Sequence, residues 1–164
     1  MSGVAGEVLS QIEELQLRYI SALDKKDMKG WLGTFSEAAE ASYLCVTADS
    51  VDAKLPLALI MDDCRGRLED RVMFITKMWA GTFQDYRTRH FVQRIACIEA
   101  GPDLYEVESN FMIAITPSDT GHAELFSTGV YVDQVKIDGS GARYLSKKVI
   151  TDVSVLPRYM VYPL

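Results

Sequence analysis

The sequence predicts an α+β fold: a strongly curved antiparallel sheet wrapped around N-terminal helices. Two observations carry this expectation. Over the first half of the chain, apolar residues recur at the three- and four-residue steps of a helix. After Gly81 the period changes to two and holds, between turn-rich breaks, to the C-terminal region. Helices followed by consecutive strands place the helices on one face of an antiparallel sheet, not between parallel strands.

The first helical face is Val8, Ile12, Leu15, Tyr19 and Leu23, with Glu13, Glu14 and Arg18 opposite. Asp24-Lys25-Lys26-Asp27 is a polar hinge, and Asp27 is placed to accept the unpaired N–H groups of a short second helix bearing Met28, Trp31, Leu32 and Phe35. Residues 41–47 read as a strand. The apolar run 55–61 contains Pro56, which demotes it to an edge strand or an irregular segment. Leu68, Val72, Ile75 and Trp79 share one face of a third helix, with Arg67, Glu69, Asp70, Arg71 and Lys77 toward water.

Four long strands are expected at 87–99, 104–116, 123–137 and 142–155. In the second, Tyr105, Val107, Phe111, Ile113 and Ile115 alternate with Glu106, Glu108 and Asn110. The breaks, Gly101-Pro102-Asp103, residues 117–121 and Asp138-Gly139-Ser140-Gly141, are too short for anything but antiparallel neighbours. Strands this long exceed the usual roughly five or six residues, so the sheet must curl over its helices. The resulting cone is the shape of the NTF2-like, or cystatin-like, fold. No repeat or linker divides residues 1–164, which read as one domain.

Composition narrows the function. A net charge of −6 with no basic run disfavours nucleic acid as a partner. No stretch is long and apolar enough to span a bilayer, and the N-terminus lacks a signal-peptide pattern. Cys45, Cys64 and Cys97 form no disulfide framework and read as small core residues in a reducing compartment, so a cytoplasmic location is expected. The chain has two histidines, His90 and His122, and no Cys-X-His or Cys-X-X-His pair. It cannot build a Rieske cluster, and an iron-binding facial triad would consume both histidines. His122, in a turn-rich loop, reads as a solvated side chain. No phosphate loop or nucleophile elbow occurs.

One cluster stands out. Arg87, Arg89, His90 and Arg94 fall within eight residues of a strand whose alternation puts Arg87, Arg89 and Phe91 on one face and Thr88, His90, Val92 and Arg94 on the other. Such cations need partners, and Asp62, Asp63, Glu69 and Asp70 could supply them. Three readings stay open: an ion-pair network fixing the third helix to the sheet, contact with a partner subunit, or a catalytic His90 beside an acidic neighbour. Trp31, Phe35, Trp79, Phe91 and Phe111 read as core aromatics.

The stretches 19–24 with Trp31 and Phe35, 68–72, Trp79, Arg87-Thr88-Arg89-His90-Phe91-Val92, 107–111 and 126–133 together resemble the β (small) subunits of Rieske non-haem iron aromatic-ring hydroxylating dioxygenases. They are nearest to those acting on substituted benzoates such as salicylate, anthranilate and terephthalate. Where that family commonly has Pro-Ser before the Arg-X-Arg-His stretch, this chain has Asp85-Tyr86. The resemblance implies a metal-free structural subunit with no catalytic or cofactor-binding residue of its own. The Rieske [2Fe–2S] cluster and mononuclear Fe(II) are implied in a partner α subunit, in an α3β3 complex fed with electrons from NADH. Asp70, Arg71, Trp79, Arg87, Arg89, His90 and Arg94 then form a candidate structural or subunit-interface network. The alternatives are a free-standing dehydratase or isomerase of this fold with His90 as base, and a ligand-binding or homodimeric scaffold. An enzyme needs polar groups converging in an open cone. A subunit needs a plugged cone and an exposed apolar or arginine-rich surface.

Overall fold

The computed structural model describes residues 3–164. Helix α1, Gly6–Asp24, buries Ile12, Leu15, Tyr19 and Leu23 as the spacing requires, together with Gln16 and Ala22. Helix α2, Met28–Leu32, begins on the Asp27 carboxylate, which accepts the Gly30 N–H at 2.8 Å. A Cβ at Gly30 would lie 2.3 Å from that carboxylate, so any larger residue there would make the Asp27 side chain shift. Strand β1 is Ser42–Thr47 and β2 is the short edge strand Ile60–Asp62. Between them lies a one-turn helix, α3, Ala48–Asp52, too short to leave a periodic signal.

Helix α4, Arg65–Met73, passes into a π-helical turn, Phe74–Met78. That wider winding breaks the face expected of one continuous helix. Leu68 and Ile75 are buried, but Trp79 is 36% exposed. Trp79 is therefore not a core aromatic. Nor is Phe91, at 56% exposure, which follows Arg87 and Arg89 onto the outer face of its strand.

The long strands are β3 (Tyr86–Gly101), β4 (Leu104–Pro117), β5 (Glu124–Asp138) and β6 (Gly141–Thr151). With β1 and β2 they form one six-stranded sheet in the order β2-β1-β6-β5-β4-β3. The three hairpin-linked pairings are antiparallel, as short connections demand, and so is the β1–β2 pairing. The β1–β6 pairing is parallel, because no hairpin dictates the direction of two strands so far apart in sequence. Register shifts at Arg94/Ala96, Ile113/Ala114 and Gln134/Val135 mark bulges, which bend and twist the long strands around α1. Gly129 faces Phe111 across β4–β5. A Cβ there would sit 2.0 Å from the Ile150 carbonyl oxygen and 2.9 Å from the Phe111 ring, so only glycine lets these strands and the ring close up. Strand β6 ends at Thr151, short of the expected Val155, and residues 156–164 fold back to bury Val161, Tyr162 and Leu164.

At the centre of the core is an ion pair. Lys147 and Asp133 are opposed residues of β6 and β5, and their Nζ–Oδ2 distance is 2.9 Å with both side chains almost fully buried. The ammonium lies 3.8, 4.4 and 4.5 Å from the ring centres of Tyr131, Tyr144 and Tyr19. Burial pushes the lysine pKa down and the aspartate pKa up, and each partner opposes the shift of the other. Removing one charge leaves the other buried and unpaired. We expect Lys147→Met to cost about 3–5 kcal/mol in urea unfolding, and Lys147→Met with Asp133→Leu to recover most of it. Additive losses in the double variant would contradict the pairing.

Candidate functional site

The polar hinge after α1 forms a site with the start of β3. Asp24 is the last residue of α1, and Lys26, two residues on, takes a left-handed backbone conformation (φ 60°) that reverses the chain. Opposite, alternation turns Thr88 and His90 inward from β3. The Asp24 carboxylate accepts from the Thr88 hydroxyl at 2.9 Å and from the His90 backbone N–H at 3.3 Å, and lies 2.6 Å from His90 Nδ1. Burial lowers the His90 pKa, against the opposing pull of Asp24, so the neutral ring donates Nδ1–H to the carboxylate. For Asp24, burial acts upward, but the hydrogen bonds from His90 and the Thr88 hydroxyl oppose it and the net shift is downward. Lys26 Nζ donates to Thr88 at 3.2 Å and lies over the rings of Tyr162 and Tyr86, 4.2 and 4.9 Å from their centres. Burial brings its pKa down to about 8.

An acid–histidine pair of this kind can serve as a general base if a substrate reaches the far ring nitrogen. His90 Nε2 is buried and has no hydrogen-bond partner. The void beside it measures about 10 Å3, between Leu23, Ile113 and Phe126 on one side and Tyr162, Pro163 and Leu164 on the other. That is room for about one water molecule, against the roughly 300–1,000 Å3 of an ordinary ligand pocket.

The mouth of the cone is closed by residues 156–164, and three core tyrosines hold this segment. Tyr86 Oη accepts the N–H groups of Val161 and Tyr162, at 3.1 and 3.4 Å. Tyr43 Oη accepts from the Leu164 N–H at 2.9 Å, and Tyr19 donates to the Leu164 carbonyl oxygen at 2.6 Å. A two-pronged ion pair between Arg158 and Asp119, at 2.8 and 2.9 Å, secures the outer end.

The residues singled out from the sequence fall into three groups. His90 joins the inner site just described. Asp70, Arg71 and Trp79 line a groove between β2 and α4. Arg87 and Arg89 lie exposed on the outer face of β3, and Arg94 is exposed beyond them beside a bulge. The expected pairing of the β3 arginines with Asp62, Asp63 or Asp70 is not made, because α4 packs on β1 and β2 at one edge of the sheet while β3 forms the other. Asp62 is instead gripped by Arg71 through two 2.9 Å hydrogen bonds, and Asp63 pairs with Arg67 at 3.3 Å. Among the described residues, Arg87, Arg89 and Arg94 have no carboxylate within ion-pair distance.

Asp24 as the partner of His90, and the closing segment, were not foreseen. The only sequence signal for Asp24 was a lone carboxylate at the end of an otherwise apolar helix face.

Both members of the dyad titrate below their ordinary values, so on acidification the unfolded chain takes up protons first. The contribution of His90 is present above its ordinary 6.5 and is lost as pH falls through its lower folded value; that of Asp24 is lost only below 3.8. Urea midpoints should therefore drop more steeply between pH about 7 and about 5.5 in the native chain than in His90→Gln, which cannot titrate there. Equal slopes would show that His90 gains its proton freely in the fold.

Comparison with known proteins matches the family model described as "Ring hydroxylating beta subunit" over residues 18–158. The chain is 28% identical over 154 residues to the anthranilate 1,2-dioxygenase small subunit of Burkholderia cepacia, covering 94% of this chain and 92% of that one. It is 24% identical over 155 residues to subunit beta 2 of the terminal oxygenase component of terephthalate 1,2-dioxygenase from Comamonas sp., covering 94% and 97%. The solved beta subunit of benzoate 1,2-dioxygenase from Burkholderia mallei has the same fold, with a TM-score of 0.72 at 24% identity and coverage of 92% and 93%. With the family model spanning well over half of its length, this chain belongs to the ring hydroxylating beta subunit family.

Proposed function

We propose that this chain is the metal-free structural β subunit of an aromatic-ring hydroxylating oxygenase. In this reading it supports an α subunit that carries a Rieske [2Fe–2S] cluster and a mononuclear Fe(II). The assembled α3β3 enzyme hydroxylates a substituted benzoate, such as anthranilate or salicylate, with O2 and electrons derived from NADH. The observation that carries the proposal is the closed cone: the void at His90 measures about 10 Å3, too small for an aromatic ring, and the larger open cleft of about 520 Å3 that Asp24 lines with Lys26, Tyr86 and Arg87 is not lined by His90. The substrate class follows the relatives, whose names specify anthranilate and terephthalate, both benzoates with a second ring substituent.

The outer surface supports the same reading. Phe91 and Met112 are opposed on β3 and β4, and Leu125 lies beyond them on β5; all three are exposed, beside Arg87 and Arg89. Apolar side chains clustered among unpaired arginines are what a subunit presents to another chain.

A second reading, a free-standing dehydratase or isomerase, draws on the 2.6 Å His90–Asp24 contact and the unpartnered Nε2. One set of measurements separates the two. The purified chain should hold no stoichiometric iron and turn over no aromatic substrate alone. In complex with its α subunit, His90→Gln should leave turnover per iron unchanged. Iron in the isolated chain, or an assembled His90→Gln complex whose turnover falls by orders of magnitude, would overturn the structural reading.

A further inference from the structure

The outer face of the sheet is apolar at the end away from β3. Met61, Leu44, Lys148 and Val132 stand in one row across β2, β1, β6 and β5. All four point outward, since their chain neighbours Asp62, Cys45, Lys147 and Asp133 are buried on the inner face. Over this row lies the loop that joins α3 to β2. Lys54 takes a left-handed backbone conformation there (φ 54°), and the loop is tied at both ends. The Leu55 N–H donates to the Ser50 carbonyl oxygen at 2.9 Å, and the Leu59 N–H donates to that of Cys45 at 2.8 Å. The loop covers Val46, which is buried although it shares the outward side of β1 with Leu44.

Between loop and sheet is an open cleft of about 410 Å3, within the roughly 300–1,000 Å3 of small-molecule sites. Its apolar walls are wholly aliphatic and include Leu44, Val51, Leu55, Leu57 and Met61; no aromatic ring lines it. Leu55, Leu57 and Met61 are each about half exposed, and the fixed loop backbone holds the two leucines there with nothing from this chain over them. The charged side chains of the lining are Lys54 and Lys148, and no carboxylate joins them. Among the described residues neither lysine has a carboxylate within ion-pair distance. The Ser50 hydroxyl, also in the lining, accepts from the Thr47 hydroxyl at 2.9 Å and so keeps its own proton to donate.

We propose that this cleft binds a short aliphatic carboxylate, with the alkyl chain along Leu55, Leu57 and Met61 and the carboxylate turned to Lys148, Lys54 and the Ser50 hydroxyl. Charge and wall chemistry select this occupant. A cationic ligand would meet two lysines and no acid. A sugar or nucleotide phosphate would leave the aliphatic walls unused. An aromatic acid would find no ring to stack on, whereas an alkyl chain fits walls of its own kind. Lysine suits the carboxylate end, because its stem can lie along apolar surface while its ammonium reaches the rim. The site is on the opposite face of the sheet from His90, and the inference stands apart from the subunit reading.

The test is calorimetric titration of the full-length chain with octanoate. One saturable site is expected, and hexanoate should bind more weakly, since each buried methylene strengthens binding by up to about fourfold. Octan-1-ol, which keeps the chain and lacks the charge, should bind about tenfold or more weakly than octanoate, and so should octanoate to Lys148→Glu or Lys54→Glu. Thermal melting checks that both variants fold, and the comparison of ligands on the native chain needs no variant. Octanoate that shows no saturable binding at millimolar concentration overturns the proposal. So do affinities indifferent to chain length or charge, or folded lysine variants that bind normally. Benzoate that binds as tightly as octanoate overturns the aliphatic assignment. Octanoate should also bind when the α subunit is in place; a complex that excludes it makes the cleft a seat for protein, and the proposal fails. Iron content and turnover, which test the subunit reading, are unaffected by any of these outcomes.

Discussion

The structure turns on one buried charge pair. Lys147 and Asp133 meet at the middle of the sheet's inner face, where β5 and β6 pair and α1 lies across them. Desolvating two charges is costly, and this pair is tolerable only because its geometry is tight and three tyrosine faces surround the ammonium. Those rings come from three different elements: Tyr19 from α1, Tyr131 from β5 and Tyr144 from β6. The cage therefore fixes the seat of the helix on the sheet as well as the β5–β6 register. A slip of one residue would turn Lys147 to the outside and leave Asp133 buried alone.

Tyr19 also links this centre to the mouth of the cone, since its hydroxyl donates to the Leu164 carbonyl oxygen. With Tyr43 and Tyr86 it converts an apolar closing segment into one with directed hydrogen bonds. Tyr86 is preceded by Asp85, which takes part in the same closure. Asp85 accepts from the Tyr86 N–H and from the Tyr162 hydroxyl, at 2.8 and 3.3 Å. The Asp85-Tyr86 pair is thus part of the fastening of residues 156–164. The same fastening covers His90 Nε2 and gives the dyad a structural task, joining the end of α1 to β3.

With its interior occupied by its own side chains, the molecule offers its chemistry on the outside. Its family membership accords with that distribution. The unpaired groups lie at the sheet edges, where arginines and apolar side chains remain uncovered on β3 and a carboxylate faces aromatic rings beside α4. An inward-facing acid–histidine pair and outward-facing arginines alternate along a single strand because successive side chains point to opposite faces.

Much of this was readable in advance. Period located α1 and all four long strands, and residue type located the Asp27 cap and the weak edge strand after Pro56, because periodicity, capping and proline chemistry are local properties of the chain. Alternation likewise placed Arg87, Arg89 and Phe91 together, opposite Thr88 and His90. Other features depended on which distant segments meet. The π-helical turn that exposes Trp79, the parallel β1–β6 pairing, the union of Asp24 with His90 and the return of residues 156–164 into the cone have no local signature. The arginine strand shows the limit most clearly. Charge complementarity suggested partners at Asp62, Asp63 and Asp70, but strand order put those carboxylates at the opposite edge of the sheet. A sequence determines which groups require partners, because burial and charge are properties of the side chains. Only the tertiary structure decides which partners lie within reach, because a hydrogen bond or ion pair forms over a few ångströms and the order of strands sets that distance.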